Sequence, residues 1–410
     1  MLRSLAPTLP DRTPRRSFAG WLTMAAAGLL LGGCAGTMQQ ASTPPPSPIT
    51  ATATRPEPAP RMTSTGKFKV ALLLPLSGRA RDIGMSMQEA AELAIFDGAG
   101  RDVAIMPIDS GDSPGRAVAA VYRAVENGAV IILGPLFGNS AAAAAEAARE
   151  SRIEMVSFSN DDAIAQPGVY PMGLGVHSQV RRVAEYALSK GIRRFAAFTP
   201  ASTYGEQATQ ALREAVTPHG GTFVAAERFR FAGGNLSGNA GRVVEAVTKG
   251  TDTTAVLLPV AGPELSAATR ALDITAPDAK KPQFVGTGVW DTPDITSEES
   301  LVGAWFAAPD PARRAAFERK YEAVHGKPPH RLATLAYDAV TMAAKLARAR
   351  PGGDFSATAL TNPAGFSGLD GPFRFRADGR VERALAVLEI GDESLRVIDP
   401  APTSFDRPAF

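Results

Sequence analysis

The chain has 410 residues, 45% of them hydrophobic and 20% charged, enough for a sizeable buried core and, at this length, for two domains. Counted whole it carries 43 basic and 41 acidic residues; without residues 1–33, which hold four Arg and one Asp, the balance is 39 to 40 and the net charge −1. So neutral a chain, with no Lys/Arg cluster interleaved with aromatics, argues against nucleic-acid or anionic-surface binding.

The N-terminus reads as export and tether. Arg3, Arg12, Arg15 and Arg16 precede an uncharged stretch, Ser17 to Gly33, that closes in Leu31-Gly32-Gly33-Cys34, the form of a signal peptide. An uncleaved membrane anchor is the alternative, since the stretch is about the shortest that spans a bilayer. Leu-Gly-Gly-Cys resembles the lipobox of bacterial lipoproteins, in which the cysteine becomes the lipidated first residue. Cys34 is the only cysteine of the sequence, so it closes no internal disulfide, and lipidation accounts for it. Ala35 stands where lipoproteins of the inner membrane often carry Asp, so the resemblance implies the inner leaflet of the outer membrane. Met38 to Gly66 is rich in Pro, Thr and Ser and cannot bury a core. At about 3.1 Å per residue, the roughly 30 residues after Cys34 reach up to about 90 Å.

Folded structure is predicted from Lys69. Val70 to Leu76 holds too few polar residues for a half-exposed strand and reads as one covered on both faces, as in a parallel sheet. Ser77-Gly78 turns the chain, and Met87, Ala90, Ala91, Ala94 and Ile95 recur at helical spacing after Gly84. Val103 to Ile108 is a strand, Pro114 to Glu126 a helix opened by Ser113-Pro114, and Ala129 to Leu133 a strand. Asn139 or Ser140 can cap an Ala-rich helix that runs to Arg149, and the strand Ile153 to Phe158 ends in Ser159-Asn160-Asp161-Asp162. Ligands of open α/β sheets sit beyond the carboxyl ends of strands. Ser77-Gly78, Gly138-Asn139-Ser140 and Ser159-Asn160-Asp161 therefore fall on one sheet edge as the rim of a cleft, although each taken singly is also ordinary turn or capping chemistry.

A second series follows the strand Val169 to Met172. Helices at Val176 to Lys190, Tyr204 to Val216, a segment ending near Lys249, and Pro263 to Leu272 alternate with strands at Phe195 to Phe198, Thr222 to Phe229, Ala255 to Leu258 and Gln283 to Val285. Leu301 to Phe306 reads as an edge strand. Helices Ala312 to His325 and Leu332 to Arg350 come next with no strand between them, and Gly371 to Phe375 with Val381 to Ile390, joined by Asp378-Gly379, have hairpin chemistry. The fold class is α/β, with two doubly wound parallel-sheet lobes.

The motifs of catalysis are missing. Gly134 to Ser140 has one residue too few between its glycines for a phosphate loop and Asn where Lys must stand, and the glycines of 233–241 miss the dinucleotide spacing. His177, His219, His325 and His330 have no His or Cys partner at metal-ligand spacing, so no metal and no cofactor are expected. No thiol nucleophile remains once Cys34 is lipidated, and adjacent Asp161-Asp162 cannot face each other as an acid/base pair. An enzyme is not expected, and a hydrolase would have to show turnover.

The ordered set VALLLPLSG (70–78), AAELAIFD (90–97), VIILGPLFGNS (130–140), VSFSND (156–161), TYGEQA (203–208), FVGTGVW (284–290) and LATLAYDAV (332–340) resembles type I periplasmic binding proteins, particularly the leucine/branched-chain amino-acid binding family. The resemblance implies two lobes joined by three crossovers. Residues 1–33 would be the signal peptide, 34–66 the lipidated linker, 67–177 plus 307–349 the first lobe, 178–306 plus 350–400 the second, and 401–410 a tail. It also implies a ligand cleft lined by Ser77, Gly78, Asn139, Ser140, Ser159, Asn160, Asp161, Tyr204, Thr287 and Trp290. In that family a Glu in the loop matching 286–288 holds the ligand ammonium, whereas Gly286-Thr287-Gly288 supplies no carboxylate. Asp161 stands where the family usually places a hydroxyl residue, and would repel an α-carboxylate unless protonated or paired.

The lipobox, the tether and the tail FSGLDGPFRFRADGRVERALAVLEI (366–390) resemble a subgroup, the penicillin-binding protein activators. That resemblance implies a lipid-anchored periplasmic regulator of a peptidoglycan synthase, acting by protein contact. The alternative is a solute receptor for an ABC importer permease that binds an amino acid or similar small polar ligand.

Overall fold

The computed structural model describes residues 61–231, 234–250, 252–275 and 281–405, side chains of 273–275 excepted. The signal segment, Cys34, most of the linker, part of the 233–238 loop and the end of the tail lie outside those residues.

Two sheets organise the described chain. The first is built from β1 (Phe68–Leu74), β2 (Val103–Asp109), β3 (Ile131–Leu133), β4 (Met155–Ser157) and β5 (Val169–Pro171), in the order β2-β1-β3-β4-β5, with every pair parallel. Val70 to Leu74 are wholly buried, as a strand covered on both faces requires. The strand stops at Leu74 rather than Leu76 because Pro75 has no N–H for the ladder. Helices α1 (Arg81–Phe96), α2 (Pro114–Glu126) and α3 (Gly138–Glu150) cross between these strands. Phe137, not Asn139 or Ser140, occupies the N-cap of α3, with no side-chain cap bond, so both expected capping residues lie within its first turn.

The second sheet has the order β14-β13-β10-β9-β8-β6-β7. Its parallel strands are β6 (Arg194–Pro200), β7 (Thr222–Phe229), β8 (Thr254–Leu257), β9 (Gln283–Thr287) and β10 (Trp305–Ala308). Helices α4 (Val176–Ser189), α5 (Thr203–Val216), α6 (Leu236–Thr248) and α7 (Gly262–Thr275) accompany them. Two antiparallel strands, β13 (Ala386–Ile390) and β14 (Leu395–Asp399), complete the sheet. β10 is therefore an interior strand, not the edge expected for 301–306; Gly303, at φ +83°, turns the chain just before it.

Helices α8 (Pro311–His325) and α9 (Ala333–Arg348) return to the first core, where Phe317 and Tyr321 of α8 pack on Ala90 and Leu93, and Leu335 to Ala347 of α9 on the β1 layer. The next segment differs from expectation. Leu360 of α10 (Ala357–Leu360), Phe373 and Phe375 of β11 (Phe373–Phe375), Phe366, and Val381 of β12 (Val381–Arg383) all belong to the first core, with the Tyr170 and Phe375 rings 5.1 Å apart. The final crossing to the second sheet falls at Ala384-Leu385, not near residue 350, and the run 381–390 is two strands in two sheets. The apolar side chains of the hairpin find their complement under α9, so burial decides the side.

Candidate functional site

In each sheet the strand order reverses about its first strand in the chain: β1 lies between β2 and β3, and β6 between β7 and β8. Such a reversal of strand order opens a crevice at the carboxyl ends. A crevice lies there, a cavity of about 370 Å³. On the first-sheet side it is lined by Leu136, Phe137 and Gly138 after β3, Phe158 and Asn160 after β4, and Arg331, Leu332 and Leu335 where α9 begins. Gln179, Tyr204, Gly288 and Val289 line the second-sheet side.

Polar groups on the second-sheet side satisfy one another. The Tyr204 hydroxyl and Thr287 Oγ1 lie 2.9 Å apart, and Gly288 N donates to Gln179 Oε1 at 2.5 Å. Burial pushes the Tyr204 phenol up, so it stays protonated. On the first-sheet side Ser140 is 1% exposed, and its Oγ has no hydrogen-bond partner. Ser157 Oγ donates to Pro135 O at 2.9 Å and accepts from Ser159 N at 3.1 Å, while Ser159 Oγ accepts from Asp161 N at 3.0 Å, a relay that fixes the loop after β4.

Of the ten cleft residues expected from sequence, Asn160 and Tyr204 line the cavity. Ser140, Ser159 and Thr287 are buried and do not line it, Ser77 and Gly78 occupy the expected loop without lining it, and Asn139 lies in the first turn of α3 rather than in a loop. Asp161 is paired: Oδ1 accepts from Ala163 N at 3.0 Å and from Gln207 Nε2 of α5 at 3.1 Å. Trp290 is not in the cleft. It is wholly buried in the core of the second sheet, its Nε1 donates to Val260 O at 2.8 Å, and it packs on Gly286, where any Cβ would collide with the indole. The missing side chain at 286 makes the slot for the ring, so the motif around it is a packing motif.

Arg331 is the residue sequence reasoning missed. Its Nη2 donates to Asp291 Oδ2 at 3.2 Å, an oxygen that Arg314 Nη1 also reaches at 2.9 Å. Asp291 follows β9, whereas Arg314 lies on α8 and Arg331 just before α9, so this triad ties the two sheets' layers across the cleft. The available signal was an arginine immediately before an apolar helix, where the dipole disfavours a cation.

Behind it lies a second charged group. Asp370 Oδ2 accepts from Thr334 Oγ1 at 2.6 Å, Asp338 Oδ1 accepts from Leu369 N at 2.8 Å, and Arg383 Nη2 donates to Met172 O at 2.9 Å. Burial, and then the charge of Asp370, push the Asp338 carboxyl up to about 7. A smaller polar pocket of about 190 Å³ sits beside the crossovers, but its Glu382 is already held by Arg181, Arg374 and Arg376.

A family profile described as "Periplasmic binding protein" matches residues 67–394. A putative branched-chain amino acid ABC transporter from Rhodospirillum rubrum is similar in structure at TM-score 0.70 and 22% identity, covering 81% of this chain and 100% of that one. A solute binding protein of an ABC transporter from Rhodopseudomonas palustris, solved with 3,4-dihydroxy benzoic acid, gives 0.58 at 18% identity, covering 82% and 97%. Among curated proteins, an uncharacterized protein of Rickettsia prowazekii is 23% identical over 147 residues, 36% of this chain and 39% of that protein's length.

Proposed function

We propose that this chain, which belongs to the periplasmic binding protein family, captures a small solute in the cleft between its lobes and delivers it to an ABC importer. The family is periplasmic and non-enzymatic, which agrees with the missing catalytic motifs. The observation that carries the reading is the cavity of about 370 Å³, walled largely by apolar side chains and placed where both sheets reverse strand order. Cavities of that size and character hold small ligands. The solved relatives named above, one with a small ligand in place, support the same reading.

On this reading the first lobe comprises about 67–175 and 309–383, and the second about 176–308 and 384–399. Asn160 and Tyr204 face the solute. Cys34 carries the lipid, and the linker after it holds the body away from the outer membrane.

Regulation of a peptidoglycan synthase by contact has less behind it. The tail whose resemblance suggested that role puts Phe366, Phe373, Phe375 and Val381 into the first core, not onto the surface. A thermal-shift screen of the purified full chain in mild detergent separates the two. Solute capture predicts at least one small solute that raises Tm by about 5 °C at saturation. Retention of a peptidoglycan synthase with no solute effect would reverse the assignment.

A further inference from the structure

Resting on the capture reading, we infer that the cleft selects a small apolar carboxylate without an ammonium group, and that Arg331 receives the anion. Leu136, Phe137, Phe158, Leu174, Val289 and Leu335 offer the ligand an apolar enclosure. Arg331 is the one charged residue in the lining, and no lining residue is acidic.

A zwitterionic amino acid would have to leave its ammonium in this enclosure without a counter-charge. Burying an unpaired charge is among the largest penalties a binding site can impose. The three nearby acids are engaged: Asp161 with Ala163 N and Gln207, Asp291 with Arg314 and Arg331, and Asp370 with Thr334 and Arg331. Asp291 is only 7% exposed at its side chain, so it is not open to a ligand ammonium.

Arg331 has capacity to spare. Of the five N–H groups of a guanidinium, the structure shows one hydrogen bond, from Nη2 to Asp291; Nη1 is buried and ion-paired with Asp370 Oδ1 at 3.7 Å, which leaves Nε and the second N–H of Nη2 for a ligand. Asp291 is shared with Arg314, so it does not neutralise Arg331 alone, while it holds Nη2 in place. Leu332 and Leu335 of α9 line the same wall, which sets the positive end of a 16-residue helix beside the guanidinium.

The test measures binding of benzoate, benzamide, 4-methylpentanoate and leucine to the full chain by calorimetry. Benzoate is expected to bind at least about tenfold tighter than its neutral isostere benzamide, and 4-methylpentanoate at least about tenfold tighter than leucine, a ratio that one charge-assisted contact supplies. Arg331→Gln should bring the benzoate-to-benzamide ratio close to one. Arg314→Gln leaves Asp291 to Arg331 alone, so it should lower Tm and bring the ratio partway towards one. Leucine binding as tightly as 4-methylpentanoate, or a ratio that survives Arg331→Gln, would overturn the ligand class while solute capture stands. If neither these four nor any other small solute binds, the capture reading fails and the ligand class with it.

Discussion

The two walls of the cleft are built on different principles. On the second-lobe wall Tyr204 meets Thr287 and Gln179 meets Gly288 N, so those polar groups are spent on one another. On the first-lobe wall Ser140 Oγ is buried with no partner, and Arg331 makes a single hydrogen bond. An unmade hydrogen bond inside a protein costs more than a made one contributes, so the spare groups belong where a ligand will complete them. On the capture reading, one wall is finished before any solute arrives and the other is completed by it.

That contrast can be tested from the largest effect to the smallest. Trp290→Ala should strip the support from the second wall and cost about 3–5 kcal/mol, read as a shift in denaturant midpoint. A loss under about 1 kcal/mol would mean the ring is not the packing element described. Asp291→Asn, which leaves Arg314 and Arg331 without their shared carboxylate, should cost on the order of 2 kcal/mol, because both arginines keep some access to water. A loss confined to the Arg331 contact, with Arg314→Gln neutral, would show that the triad does not join the walls.

The Asp338 group gives a pH signature. Its carboxyl, ordinarily near 3.8, is pushed up to about 7 by burial and then by Asp370. Between those values the folded chain holds a proton that the unfolded chain has released, so stability falls as pH rises from about 4 to about 7. Asp338→Asn keeps an oxygen for Leu369 N and should flatten that part of the Tm profile; an unaltered slope would assign it to other groups.

The two smallest effects separate the walls most sharply. Tyr204→Phe should cost about 1 kcal/mol of stability with little change in ligand affinity. Ser140→Ala should leave the unliganded protein as stable or slightly more so, by up to about 1 kcal/mol. The opposite pairing, affinity lost with Tyr204 and stability lost with Ser140, would invert the comparison.

Much of the scaffold was legible in the chain. Thr222 to Phe229 and Pro114 to Glu126 were read to the residue, because a Gly-Gly turn and a proline at the first helical position mark their starts. The loops of the rim also lie on the expected sheet edge. What escaped was set by tertiary packing. Nothing in VERALAVLEI marks the break at Ala384-Leu385; it is made by Ala384 N donating to Pro372 O at 2.8 Å and by Arg383 reaching back to Met172 O. Trp290 sits in a motif that reads as cleft, and only the bare Cα of Gly286 shows which way the ring turns. Arg331 lay one residue outside the quoted helical segment, in a connection with no motif of its own.

The interleaving of the two sheets also constrains how the chain can mature. The first core needs α9 and the hairpin residues up to Val381, and the interior strand β10 gains its second neighbour only with β13. A polypeptide threaded through a translocation channel from its N-terminus can therefore finish neither half until nearly all of it has emerged. Until then β10 presents an open edge, the kind of surface that recruits stray strands. Truncations that remove β13 should leave that edge open and the product sensitive to proteases, although they leave every wall of the cavity encoded.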